Sequence, residues 1–399
     1  MIHPRILALG GSGSTGRRLV GSLLRLMPHA TVHAATRNSN QRTAQFGAQW
    51  VVMDVAPDSS RGMAFTDPSG FSPSTAPRPG ASAEKERGGK DLSDILSSYD
   101  AVVIALGPFS TFRASCHRAC IRAGVTCLDI NDDPHVAREI LSLHEDAVLR
   151  GSHVFTGMGV NPGLSTALLC RLAACAGECE KVDVRLFAGG NEDAGFASTM
   201  TMLHGLTPKV CELREGREVW MDADDSGSQK KEVFVTHGRS VTATHCFSAE
   251  AFLIESMHER GALLPAHNIS YRMHFQGMPP AMAAFLRRFP ADRFPAVTHR
   301  LARVFYTMHG LGSSNGTNMT RSILMIRAQY ADRKMTAFAT GETTFGLTAA
   351  YAASFIHAFL QDPKSVPAGV HATSSAIPFL PDVLTGVRAL NVHVAYAEE

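Results

Sequence analysis

Gly11, Gly13 and Gly16, within Gly10-Gly11-Ser12-Gly13-Ser14-Thr15-Gly16, are spaced to receive a dinucleotide. In G-x-G-x-x-G the first glycine permits a tight turn. The second removes a side chain where a pyrophosphate must approach, and the third lets a helix pack closely on a strand. Backbone N–H groups at the helix start, across Ser12, Ser14 and Thr15, then face the phosphates with the helix dipole behind them. The motif carries weight only between a strand and a helix, and both neighbours are present: an apolar run at 5–9 before it, and Leu19, Val20, Leu23, Leu24 and Leu26 at helical spacing after it. A glycine turn without a ligand is the plainer alternative.

The nucleotide is narrowed at the end of the second strand. NAD-preferring folds carry Asp or Glu there to bind the ribose 2′-hydroxyl, whereas Thr36 and Arg37 stand at that point in this chain. A guanidinium pairs with a 2′-phosphate that a carboxylate would repel, so NADP(H) is the expected cofactor. Asp54, ending the third strand, is placed to accept from the adenine amino group or to cap a turn. Leu106-Gly107-Pro108-Phe109 ends the fourth strand, where a nicotinamide would cross the sheet. Asp129 and Asn131 end the fifth, within Asp129-Ile130-Asn131-Asp132-Asp133, and Gly157-Met158-Gly159-Val160-Asn161-Pro162-Gly163 ends the sixth. Three consecutive strand ends with glycine or polar residues on one edge mark the crevice where open α/β sheets bind ligands. Asn161 reads either as an N-cap ahead of Pro162 or as a ligand-facing group at a helix start.

The elements that must position these groups read as β-α-β-α-β over the first 60 residues, with further strands at 101–106, 125–130 and 154–156. Ser110 is placed to N-cap a helix that Gly124 ends, and Asp133 to cap another opening at Pro134. Between 56 and 90 lies a stretch crowded with Pro, Ser and Gly, read as a disordered insertion. After Asn161 the pattern changes to a helix at 162–176 and separated strands at 182–188, 232–236, 240–245, 269–275, 322–330 and 334–340, the last two joined by a short connection that predicts a hairpin. The fold class is α/β: an N-terminal Rossmann doubly wound parallel sheet at 1–160 and an α+β domain on a mixed or antiparallel sheet at 161–343. The segment 344–399 supplies a helix and a tail that pack back on the first domain.

Composition fits this reading. The chain has 399 residues, 45% hydrophobic and 19% charged, with a formal net charge of +2. That balance offers no field for nucleic acid, and no apolar run reaches the length of a membrane span or a signal core, so a cytoplasmic protein with a small-molecule substrate is expected. The eight cysteines include no C-x-x-C pair and the 18 histidines no H-E-x-x-H, so no metal is expected. Arg287, Arg288, Arg293, Arg300 and Arg303 lie among Phe285, Phe289, Phe294, Leu301, Val304, Phe305 and Met308. This stretch reads as a solvated helix face or homodimer contact, or as a basic amphipathic surface for an acyl carrier, a membrane face or an anionic substrate.

The segments Gly10 to Leu19, Gly107 through Ala119, Cys120, Ala123 and Gly124 to Asp129, and Gly157 to Leu164 resemble the saccharopine dehydrogenase-like family. The relevant group includes saccharopine reductases, carboxynorspermidine-type enzymes and trans-acting enoyl reductases. Thr348, Ala349 and Gly369-Val370 extend the likeness, which covers 1–175 and about 335–375. The resemblance implies NADP(H)-dependent reduction or oxidation of a C=N or C–N bond in a small amino-acid-like or organic-acid substrate. Enoyl reduction of an acyl substrate and a catalytically silent NADP-sensing protein are the alternatives. It places substrate-facing residues near His204, a candidate general acid. Saccharopine-reductase-type members carry Asp where this chain has Asn161; Asp could balance an ammonium or move a proton, whereas Asn only hydrogen-bonds.

Overall fold

The computed structural model describes residues 3–36, 47–53, 55, 92–177, 179–189, 192, 194–223, 229–234, 239–246, 248–275, 280–288, 295–312, 321–375 and 377–398. Arg37, Asp54 and the 56–90 insertion lie outside them. The first part of the chain runs β1 (Arg5–Leu9), α1 (Ser14–Leu26), β2 (Thr31–Thr36), β3 (Gln49–Val52), α2 (Leu92–Leu96), β4 (Ala101–Ile104), α3 (Phe109–Phe112), α4 (Ser115–Ala123), β5 (Thr126–Asp129), α5 (Pro134–Leu141), α6 (His144–Leu149) and β6 (His153–Phe155). The strands are apolar because both faces are covered: Ile6, Leu7, Ala8 and Leu9 of β1 are all buried, as parallel sheets require. Helix α1 turns Gly16, Leu19, Val20 and Leu23 inward at i, i+3, i+4, i+7 spacing.

The second part runs α7 (Leu164–Ala176), β7 (Cys179–Ala188), α8 (Phe196–Gly205), β8 (Lys209–Arg214), β9 (Arg217–Asp222), β10 (Gln229–Phe234), β11 (Arg239–His245), α9 (Glu250–His258), β12 (Ala266–Phe275), α10 (Pro280–Arg288), α11 (Pro295–Gly312), β13 (Ser322–Gln329) and β14 (Lys334–Gly341). The chain closes with α12 (Thr344–Gln361), β15 (Gly369–His371), α13 (Leu380–Ala389) and β16 (His393–Glu398).

Seven strands form a parallel sheet in the order β15-β6-β5-β4-β1-β2-β3, the doubly wound arrangement that sequence periodicity predicts. Its seventh strand comes from the far end of the chain, where Val370 pairs with Val154. The second sheet follows the path β10-β11-β12-β7-β13-β14-β16, with β8 and β9 attached beside β12. Its β12–β7 pair is parallel and its other pairs are antiparallel, including the β13–β14 hairpin. One apolar core runs through both sheets by way of α1, α7 and α12. Helix α12 is buried nearly all round, with Thr343 capping its start by accepting the Gly346 N–H.

Three local readings change. The helix after Gly107 opens at Phe109 rather than being capped by Ser110, and the chain turns at Arg113 (φ 47°) before α4. The helix that Asp133 caps does so through two N–H groups, as predicted, but ends at Leu141 and restarts at His144. Asn161 is not an N-cap: α7 begins at Leu164 behind Gly163, whose φ of 122° suits glycine alone.

Candidate active site

The glycine loop is shaped by backbone contact at both ends and open in the middle. A Cβ on Gly16 would stand 2.0 Å from the Gly10 carbonyl oxygen, so only glycine lets α1 lie this close to the strand end. Gly11 is held by its N–H to the Ala35 carbonyl at 3.1 Å, and a Cβ there would press on Ala34 of β2. A Cβ on Gly13 would meet only the Gly10 carbonyl oxygen, at 3.3 Å, and Gly13 is exposed with Ser12, Ser14 and Thr15 half-buried around it. An open glycine at the mouth of a 13-residue helix fits a pyrophosphate. Arg17 and Arg18 donate to the carbonyls of Ser12 and Ser14 and brace the loop from behind. Thr36 is buried at the end of β2.

The start of α8 lies over this edge. A Cβ on Gly195 would be 3.2 Å from the Ser14 hydroxyl, and one on Gly107 would be 3.3 Å from the Ala197 methyl. Leu106 is half-buried, Gly107 exposed, and Phe109 buried as the first residue of α3, behind Pro108 in a cis peptide. His204 sits at the opposite end of α8 from Gly195, about 13 Å along the axis at 1.5 Å per residue. The fold therefore does not bring it to the glycine loop.

The next strand end is stapled from inside. Asp129 is fully buried: one carboxylate oxygen lies 2.7 Å from His117 Nε2, and the other accepts the N–H groups of Asn131 at 2.8 Å and Gly157 at 2.9 Å. Asn131, also fully buried, exchanges hydrogen bonds with the Asp133 backbone. Where the sequence predicts cofactor contacts, both side chains are turned inward: Asp129 ties β5 to the turn after β6, and Asn131 fixes the turn that leads to Asp133. Between them and α5, Asp132 is half-buried, and its own backbone N–H is the hydrogen bond that favours its carboxylate. Burial, then Asp133 and Asp129, push its pKa up to about 7.

Asn161 belongs to a buried polar network that sequence reasoning did not foresee. Its amide nitrogen donates to Ser165 Oγ at 3.1 Å and to Glu250 Oε2, and its amide oxygen accepts from Ser248. The other Glu250 oxygen accepts from Ser165 at 2.6 Å and Thr166 at 2.8 Å, while the Glu250 N–H donates to Ser248 Oγ. Burial raises the Glu250 pKa against the opposing hydrogen bonds from Ser165, Thr166 and Asn161. The Ala249 N–H donates to the Asp132 carbonyl, so α9 carries its acid to the same sheet edge as Asp132. Tyr271 of β12 is buried nearby, its pKa raised by burial and then by Cys246, Glu250 and Asp132. The available signal for α9 was Ser248 and Glu250 ahead of the apolar Phe252-Leu253-Ile254, a helix-start pattern.

All eight cysteines are free, and all but Cys175 are buried. Among the described residues no group of three or more His, Cys, Asp or Glu is arranged to hold a metal ion, and no helix is long and apolar enough to cross a membrane.

No family model matches the chain, and no curated protein matches it in sequence. Among solved structures it is similar to apo saccharopine dehydrogenase (L-Glu forming) from Saccharomyces cerevisiae, at 14% identity and a TM-score of 0.60, over 99% of this chain and 100% of that one. An engineered D-amino acid dehydrogenase overlays more loosely, at 11% identity and a TM-score of 0.44 over 95% and 96%. A myo-inositol dehydrogenase from Corynebacterium glutamicum does so at 13% and 0.40 over 98% and 95%. The described residues thus have the saccharopine dehydrogenase-like fold, a Rossmann sheet followed by a mixed sheet.

Proposed function

We propose that this chain is a nicotinamide-dependent oxidoreductase of the saccharopine dehydrogenase-like kind. It prefers NADP(H) and acts on a C=N or C–N bond of a small amino-acid-like or organic-acid substrate. The observation that carries the reading is the glycine loop, closed by backbone at Gly11 and Gly16 and open at Gly13. When bound, the nicotinamide supplies or accepts hydride; the chain supplies position, charge and protons. The N–H groups at the start of α1 would hold the pyrophosphate, and Thr36-Arg37 would favour a 2′-phosphate over a bare ribose. The first turn of α8 borders the crevice at Ser14 and Gly107, and Asp132, with its pKa raised to about 7, can give or take a proton there.

Nicotinamide fluorescence with wild type and Arg37→Glu tests the cofactor. NADPH should bind more tightly than NADH, with the preference reduced or reversed in the variant. Equal affinities unchanged by the substitution would overturn the NADP assignment. A second reading, reduction of a C=C bond in an acyl substrate, is favoured by the apolar, arginine-bearing helices α10 and α11. NADPH oxidation with oxo acids plus amines, and separately with enoyl thioesters, distinguishes the two. Binding without turnover in either assay would mark a dinucleotide sensor.

A further inference from the structure

The second sheet ends on a strand that nothing in the proposed chemistry uses. β16 pairs with β14 in unbroken register, from Thr340 opposite His393 to Met335 opposite Glu398, and among the described residues no strand lies beyond it. Its outer row of backbone N–H and C=O groups therefore faces away from the sheet. Native sheet edges are commonly blunted by lysine, proline or a bulge, and β16, His-Val-Ala-Tyr-Ala-Glu, has none of these. The other margins of the same sheet are written differently: β9 contains Arg217, Glu218 and Asp222, and β10 contains Lys230, Lys231 and Glu232. His393, Tyr396, Ala397 and Glu398 are exposed, so most of β16 is open to solvent.

Charge selects the occupant. Val394 packs against the core built from α7, α12 and α13, so by alternation Tyr396 and Glu398 stand on that same helix-covered side. Burial raises the Tyr396 pKa, and two nearby guanidinium groups, Arg388 of α13 and Arg171 of α7, oppose that rise. Both arginines are exposed. The edge thus carries cations beside its middle and an acid at one end. A twofold axis through Tyr396 reverses the strand of a second copy, sets Tyr396 opposite Tyr396 and Val394 opposite Glu398, and brings each Glu398 diagonally beside the other copy's Tyr396 and its arginines. On the opposite side, Ala395 meets Ala397 without bulk. The edge is therefore complementary to itself when antiparallel, in hydrogen bonds and in charge. We propose that β16 pairs with β16 of a second copy, antiparallel and centred on Tyr396, so that two nine-stranded sheets become one and Glu398 of each copy pairs with Arg388 of the other.

Sedimentation equilibrium of the full-length chain over a concentration series reads the association directly. Wild type should follow a monomer–dimer equilibrium. Glu398→Lys and Arg388→Glu should each raise the dissociation constant by roughly tenfold, because each turns two attractive pairs per dimer into repulsive ones. The double variant exchanges the two charges and should bring the constant back to about the wild-type value. Thermal unfolding of both single variants should stay close to wild type, since Arg388 and Glu398 are exposed. A wild type that remains monomeric across the series overturns the proposal. So does a dimer that neither single variant weakens, since that outcome puts the contact on another face, and so does a double variant no tighter than the single ones.

Discussion

The two glycines at either end of the first turn of α1 should respond in opposite ways to one added methyl group. At Gly16 the methyl would sit 2.0 Å from the Gly10 carbonyl oxygen, 2.8 Å from the Gly10 carbonyl carbon and 2.9 Å from Gly11 Cα, all backbone atoms. Relief requires α1 to withdraw by about 1 Å from a well-packed core, and overpacking of that kind costs about 1–3 kcal/mol or more. At Gly13 the methyl meets a single atom at 3.3 Å, and φ −72°, ψ 168° suits any residue. Alanine there should cost the fold about 0.5 kcal/mol, mainly through poorer capping. The same methyl stands where a pyrophosphate oxygen would approach. Losing one charge-assisted hydrogen bond, about 1.5–3 kcal/mol, weakens the dinucleotide by roughly tenfold to 150-fold. Urea denaturation and NADPH fluorescence titration separate the effects: Gly13→Ala should stay folded and bind poorly, while Gly16→Ala should be unstable before any ligand is added. A Gly13→Ala protein that is folded and binds NADPH as tightly as wild type refutes this loop as the pyrophosphate seat.

Glu250→Ala removes one of the two acceptors of the Asn161 amide nitrogen and leaves a cavity; the Ser165 and Thr166 hydroxyls can turn back to helix carbonyls, so a loss of about 3 kcal/mol in urea denaturation is expected. Glu250→Gln, whose amide can turn its oxygen to the Asn161 NH2 and its own NH2 to the Ser165 and Thr166 hydroxyls, should lose less, about 1 kcal/mol. A loss below about 1 kcal/mol for the alanine variant counts against the network. Asp132 has its folded pKa raised from 3.8 to about 7, so the folded chain binds the extra proton in that window and its stability falls as pH rises through it. Replacement by Asn should remove that fall, worth about 2 kcal/mol after allowance for partial exposure. Parallel pH profiles of wild type and Asp132→Asn would contradict the assignment.

The parallel sheet was readable because its signals are local. The run at Arg5–Leu9, the glycines from Gly10 to Gly16 and the Asp133-Pro134 cap each specify backbone within a few residues. The β8–β9 hairpin escaped notice because its two-residue turn places Glu215 as well as Gly216 at positive φ, and Glu is not a residue that announces such a turn. The seventh parallel strand escaped because it is three residues long and joins Val154 from more than 200 positions away.

Asn161 is the instructive case, since its type was legible and its meaning was not. An Asn followed by Pro suggests a helix cap, yet the positive φ of Gly163 delays the helix and turns Asn161 into the interior. Beside a family pattern with Asp at that point, Asn also suggests a turn that has lost its acid. The fold places a carboxyl against the amide all the same, from Glu250, 89 residues further on. The turn at Asn161 and the start of α7 at Ser165 and Thr166 could not hold a buried carboxylate unless they offered donors, and all three residues do. Asp at 161 would set two carboxyls face to face across the same contact. The two positions therefore constrain each other: with Glu250 in place, Asn is the residue that satisfies the network.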